Sequence, residues 1–195
     1  MDEIRRELTT TEYIILGLIN NAPQTGYGII GTLETIASRW SASSGAIYPA
    51  LKRLERQGLI SGTVEMVHEA RGRKVYQITP DGLDALDSWL RTPVDANEII
   101  GERDMALVKF LFAEKRLTRE EVLAWLDAYE RSAEIYNATH SLWHQAMMSV
   151  ASVHQQLVEE ATQMELNMQR SWIQLARERL GAAAEVETVT EAVAH

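Results

Sequence analysis

Seven basic side chains, Arg39, Lys52, Arg53, Arg56, Arg71, Arg73 and Lys74, fall in one stretch that holds only three acidic ones, Glu55, Glu65 and Glu69. Clustered cations of this kind neutralise phosphates, and the response is to local rather than overall charge. The chain as a whole carries −9, but residues 1–92 contribute −1 and residues 93–195 contribute −8. An acidic remainder limits non-specific adhesion to polyanions, so the balance permits nucleic acid without demanding it. Hydroxyls accompany the cations. Ser43, Ser44 and Tyr48 precede Lys52, and each can reach a phosphate or a base edge.

Other candidate chemistry is thinner. His140 and His144 stand four apart, with His154 beyond them, but no carboxylate lies at a compelling spacing and a surface or interface pair is the preferred reading over a metal site. Trp125, Trp143, Trp172, Met147, Met148, Met164 and Met168 recur at helical spacing, which suits packing better than a ligand pocket. No nucleophile–base set, phosphate-binding glycine loop or dinucleotide fingerprint is present, so neither an enzyme nor a cofactor is expected. There are no cysteines, which excludes disulfides and thiolate zinc. With no apolar leader and no apolar run of membrane-spanning length, neither a signal peptide nor a membrane partner is expected.

The elements that must position the basic stretch follow from caps and periodicity. Thr9 and Glu12 have capping-box spacing, and the nearly continuous apolar run Tyr13–Ile19 predicts a helix buried on most sides. Thr25 caps a second helix over Gly26–Arg39. A third opens at Ser43 or Ser44, turns Ile47, Leu51 and Leu54 inward, and stops at Gly58. Pro49 removes a helical hydrogen bond at a cost of about 3 kcal/mol, so it is expected in or near the first turn, fixing how Tyr48 leaves the backbone. The alternative for Tyr48 is simple packing on the core. Leu59–Val67 and Val75–Ile78 read as two strands joined by a charged turn over 69–74, and Thr79-Pro80 opens a fourth helix. Three helices, a two-stranded β-wing and a further helix make a winged helix-turn-helix, which reads DNA with its third helix here and its wing. The wing tip would place Arg71, Arg73 and Lys74 around Gly72, where arginine suits a narrow minor groove; the alternative is a solvated hairpin.

After Pro93 the chain changes character. Residues 101–180 hold no proline and one glycine, Gly101. The pattern predicts a helix through Leu111, then two long antiparallel helices with a weak break near Ser149, their apolar stripes burying against each other or a partner chain. Leu111, Leu126, Trp143, Leu157, Met164, Met168, Trp172 and Leu175 are the residues expected to make a dimer. The fold class expected is therefore mainly α: a DNA-binding domain over 1–92, an all-α dimerisation domain over 93–180, and a flexible tail over 181–195.

The segments EYIILGLI (12–19), TGYGI (25–29), SSGAIYPALKRLERQGLI (43–60) and RGRKVYQITPDGLDALDSWL (71–90) resemble the PadR family of bacterial transcriptional regulators. The family's Gly-x-Ile-Tyr-Pro-x-Leu core matches Gly45, Ile47, Tyr48, Pro49 and Leu51. By organisation, the long helical second half resembles the subgroup with a virulence-activator-like C-terminal domain. Gly28 and Gly31 depart from a rigid second helix, each weakening it by about 0.5–1 kcal/mol. The resemblance implies a cytoplasmic, nucleoid-associated homodimer on a pseudo-palindromic double-stranded operator. It implies a repressor of its own or neighbouring promoters, with release by an unidentified small-molecule or stress signal as an added possibility. Activation with a partner regulator, or an adaptor that no longer touches DNA, are the alternatives. By position it assigns Ser44, Tyr48, Lys52, Arg71, Arg73 and Lys74 to DNA, joined by Arg53 and Arg56 further along the helix, with backbone–phosphate contact at Tyr27 and Gly28.

Overall fold

Local hydrogen bonds start or close each helix of the first unit. In the computed structural model, which describes residues 7–36, 44–68, 71–95, 99–100, 103–148 and 150–193, Thr9 caps α1 (Thr10–Asn21) through a complete capping box with Glu12. Thr25 accepts from the Gly28 N–H at the start of α2 (Gly26–Ile36). Helix α3 (Ser44–Arg56) closes in a Schellman arrangement, in which Leu59 N–H donates to the Leu54 carbonyl and Gly58 N–H to that of Glu55. Gly58 has φ +74, a left-handed conformation that glycine adopts without strain. Thr79 caps α4 (Pro80–Arg91), accepting from the Gly82 N–H at 3.1 Å.

Between α3 and α4 run β2 (Ile60–His68) and β3 (Arg71–Ile78), an antiparallel pair in the register Gly62↔Tyr76, Val64↔Lys74 and Glu65↔Arg73. Two expectations are corrected here. The sheet has three strands rather than two, because β1 (Gln24–Thr25) adds to the far edge of β3, giving the order β1-β3-β2. And Arg71, Gly72, Arg73 and Lys74 lie in β3 rather than in the turn, since the ladder extends past Val75. Pro49 is also deeper than expected. It is the sixth residue of α3, exposed, and it leaves the Gly45 carbonyl without its helical donor.

The core of this unit is built around α1, against one face of each of the other helices. Ile14, Ile15, Leu16, Leu18 and Ile19 of α1 are buried on nearly all sides, as the continuous apolar run requires. Ile29 and Leu33 meet them from α2, Ile47, Ala50, Leu51 and Leu54 from α3, and Leu86 and Leu90 from α4. Tyr13 and Trp89 stack at the margin, centroids 4.9 Å apart. The buried face of α3 thus fixes which face remains outside.

The chain divides into two compact units, Met1–Leu90 and Arg91–His195. In the second, α5 (Arg103–Ala113), α6 (Arg119–Met148) and α7 (Val153–Val193) enclose a separate core around Ile99, Trp125, Leu126, Tyr129, Leu166 and Ile173. Thr118 and Glu121 form the capping box of α6, and Ser152 with Gln155 that of α7. Contacts run from Arg119 to Gly181, Asp127 to Arg177 and Tyr129 to Gln169, so the two long helices are antiparallel. Gln169, buried, spends its amide on the Ile99 carbonyl at 2.6 Å. Helix α7 does not end near Leu180. It continues to Val193 because the segment is rich in alanine and glutamate, good helix formers, and holds no proline.

Candidate nucleic-acid interface

Burial of Ile47, Ala50, Leu51 and Leu54 leaves Tyr48, Lys52 and Arg56 outward, one helical turn apart along α3. Tyr48 is 53% exposed, with one ring edge lying over the start of α2. Gly26 makes that possible, since a Cβ there would stand 2.7 Å from Tyr48 Cε1. The tyrosine therefore combines both expected roles, packing by an edge and presenting the rest of its ring outward. Tyr27, at the first turn of α2, is 81% exposed.

The cations of the basic stretch sort into two groups. Arg73 donates to Glu65 across the hairpin at 2.8 and 3.0 Å. Lys74 pairs with Glu55 of α3 at 2.7 Å, and this partner raises its pKa above the usual lysine value. Arg53 turns away from the exposed face and meets Glu12 of α1 at 2.7 Å. Lys52 and Arg56 are exposed and have no acidic partner among the described residues. Of the five contact residues that sequence reasoning gave this helix, Tyr48, Lys52 and Arg56 stand on its outer face, Arg53 serves α1, and the side chain of Ser44 lies outside the described residues. The Gly28 N–H, expected to face phosphate, is occupied by the Thr25 hydroxyl at 3.0 Å. Ser43 lies outside the described residues, as do the side chains of Ser44 and Arg71.

Glu12 is the residue whose second role a local reading misses. Its carboxylate is 1% exposed and serves the Thr9 N–H, the Thr9 hydroxyl and the Arg53 guanidinium together. Burial pushes its pKa up, but the Thr9 backbone hydrogen bond and Arg53 more than offset that and hold it below the usual carboxylate value. A depressed carboxyl contributes stability above its unfolded pKa, and this is lost as pH falls through the lower folded value. The wild-type chain is therefore expected to lose stability steeply below about pH 4.5, whereas Glu12→Gln, less stable at pH 7, should show a shallower loss there. Urea unfolding at pH 7 and at acid pH measures the difference; parallel curves for the two proteins contradict the assignment.

The residues expected to make a dimer also sort. Leu126 is fully buried in the second unit's own core and cannot meet a partner, and Trp172 packs against that core beside Phe110 at 5.0 Å. This corrects the expectation for Leu126, while Trp172 is only partly buried. Leu111, Leu157, Met164, Met168 and Leu175 are exposed, at 46–71%. The side chain of Trp143 lies outside the described residues, with those of His144, Met147 and Met148, and so does Ser149. Trp125 belongs to the core, stacked at a tilt with Phe110 and Tyr129. No helix among the described residues is long and apolar enough to cross a membrane.

Known proteins are similar to this chain over the same segment. Residues 15–88 match the model of the transcriptional regulator PadR-like family. The negative transcriptional regulator PadR of Bacillus subtilis (strain 168) is 30% identical over 111 residues, covering 56% of this chain and 59% of that protein. A transcriptional regulator of Mycobacterium tuberculosis is 37% identical over 71 residues, 36% of this chain and 65% of its own length. This chain thus spans under two thirds of the length of either curated relative. Among solved structures, Bacillus subtilis PadR in complex with operator DNA aligns over 88% of this chain and 99% of that one, at 23% identity and a TM-score of 0.45. By this match, residues 15–88, which run from within α1 into α4, are a domain of the PadR-like family of transcriptional regulators.

Proposed function

We propose that the chain is a homodimeric transcriptional regulator that binds double-stranded DNA sequence-specifically and represses its own or neighbouring promoters. The observation that carries the DNA reading is the outer face of α3, where Tyr48, Lys52 and Arg56 line up and the two cations have no acidic partner among the described residues, while Arg53, Arg73 and Lys74 are each held by a carboxylate. A free lysine and arginine on an exposed helix suit phosphates and guanine edges, and the tyrosine supplies a hydroxyl and an apolar ring. The relatives' names, one a negative regulator, support repression.

Dimerisation is supported by α7, which carries two apolar stripes. Leu166 and Ile173 face the unit's own core, while Val153, Leu157, Met164, Met168 and Leu175 form a second stripe on the opposite side, all exposed. A repeating four-and-seven spacing of exposed apolar residues is what a facing helix covers. Two linked DNA-binding domains then engage two half-sites, the second at high effective concentration.

The test is selection of duplexes from a random-sequence library, followed by titration at several salt concentrations. A symmetric selected site and a steep salt dependence are expected; selection of nothing at low salt overturns the reading. Met164→Arg combined with Met168→Arg should give a monomer by light scattering and weaken binding to the selected duplex at least tenfold. A double variant that stays dimeric overturns the assignment of this stripe.

A further inference from the structure

Lys74, although exposed, runs from the wing toward α3. Its neighbour across the ladder is Val64, and alternation puts Gly62, Val64, Lys74 and Tyr76 on one face of the hairpin. From there the side chain runs diagonally over Gly62 to Glu55 of α3, with Nζ 2.7 Å from the carboxylate and 5.4 Å from the centre of the Tyr76 ring. A Cβ at Gly62 would collide with Lys74 Cε and would stand 2.8 Å from Glu55 Oε1. Glycine weakens a strand interior and marks places where another group approaches closely. Here the approaching group is the lysine stem. Arg73, one residue earlier, stays on the other face and pairs within the hairpin. Among the described residues, Lys74–Glu55 is the ion pair that joins the wing to α3.

We propose that Lys74 is a positioning residue for duplex DNA rather than a phosphate contact: held through the opening at Gly62, it braces the wing against Glu55 and sets the angle between wing and recognition helix. The consequence for binding rests on the DNA reading above; the brace itself does not. Two long side chains held in one geometry lose rotamer freedom, and an exposed pair returns little net stability. What such a contact supplies is direction, and a wing and a helix that enter adjacent grooves must keep a fixed angle.

The two roles predict opposite signs. If Lys74 touches phosphate, Glu55→Gln frees a cation and binding strengthens or stays level, while Lys74→Gln lowers the slope of log K against log salt by about 0.9 for each phosphate no longer neutralised. If it braces the wing, Glu55→Gln and Lys74→Gln each weaken binding to the selected duplex about three- to tenfold, the double variant is no worse than the weaker single, and the salt slope stays unchanged. Gly62→Ala should reproduce the loss, because the lysine stem can swing away from the new methyl, and should not add to Lys74→Gln. Tighter binding by Glu55→Gln, or a reduced slope in Lys74→Gln, overturns the proposal.

Amide hydrogen exchange on the free chain keeps the two readings apart. Protection across β2 and β3 beyond Gly62 should fall several-fold in both Glu55→Gln and Lys74→Gln. Unchanged exchange in both overturns the brace whatever the DNA result. If the wild-type chain selects no duplex, the DNA reading fails while the exchange data still decide the brace.

Discussion

Replacing Lys52 and Arg56 together by alanine is expected to weaken binding to the selected duplex by about two orders of magnitude and to flatten its salt dependence. Both side chains stand exposed on one face of α3 without an acidic partner among the described residues, so neither is expected to hold the fold together. Each phosphate left without its cation should lower the salt slope by about 0.9, giving roughly 1.8 for each half-site. Lysine and arginine to alanine on an exposed helix change its propensity little, so melting should move by no more than a few degrees. Arg53→Ala supplies the contrast. It should lower the melting temperature, because buried Glu12 loses its partner, yet leave the salt slope where it was. Calorimetry and titration on the same preparations separate the two patterns, and a slope unchanged in the Lys52/Arg56 variant contradicts the outer-face assignment.

The second large effect concerns stability. Gly82→Ala adds one methyl group, yet it is expected to destabilise the first unit by about 2–4 kcal/mol. Gly82 lies in the first turn of α4, and a Cβ there would collide with the Leu59 carbonyl and stand 2.8 Å from Ile78 Cγ1. A flexible side chain can yield, but the obstacle here is backbone. Leu59 cannot retreat freely, since its N–H closes α3 and its carbonyl accepts from Thr79. An alanine at 82 must therefore push α4 off the strand, against the burial of Leu86 and Leu90. At about 4–8 °C for each kcal/mol in a domain of this size, the melting point should fall by about eight degrees or more. Gly31→Ala provides the control. Nothing lies within 4 Å of its Cβ position, and an alanine in a helix interior should be neutral or stabilising. Equal melting of the two variants contradicts the close-approach account.

What was legible in the sequence is what depends on a few neighbouring residues. Thr9 with Glu12, Thr25, Gly58, Thr79 and Thr118 with Glu121 all act within one turn of chain, and each occupies the expected cap. The buried faces of α1, α3 and α4 follow from periodicity for the same reason. Side-chain destinations were not legible. Arg53 meets a partner 41 residues away and Lys74 one 19 residues away, and nothing in spacing says which cation turns inward. Strand β1 was hidden because two residues carry no period, and its pairing comes entirely from β3. The apolar stripes of α6 and α7 were visible, but deciding that Leu126 faces the partner helix while Met164 faces outward required the antiparallel register. A usable signal did exist for Gly62, since glycine in a strand of a short wing marks a close approach; its visitor could not be named without the fold.

The Arg53–Glu12 pair bears on any attempt to retarget such a protein by exchanging its reading helix. A helix lifted out alone carries an arginine whose counter-charge stayed behind in α1, where it also caps that helix through Thr9. In a recipient lacking the matching glutamate, the arginine becomes an extra exposed cation, and the chimera gains affinity for any DNA rather than for the intended site. A transplant that keeps specificity must move Thr9 and Glu12 with Arg53. The transferable module is a pair of helices held at one carboxylate, not α3 alone.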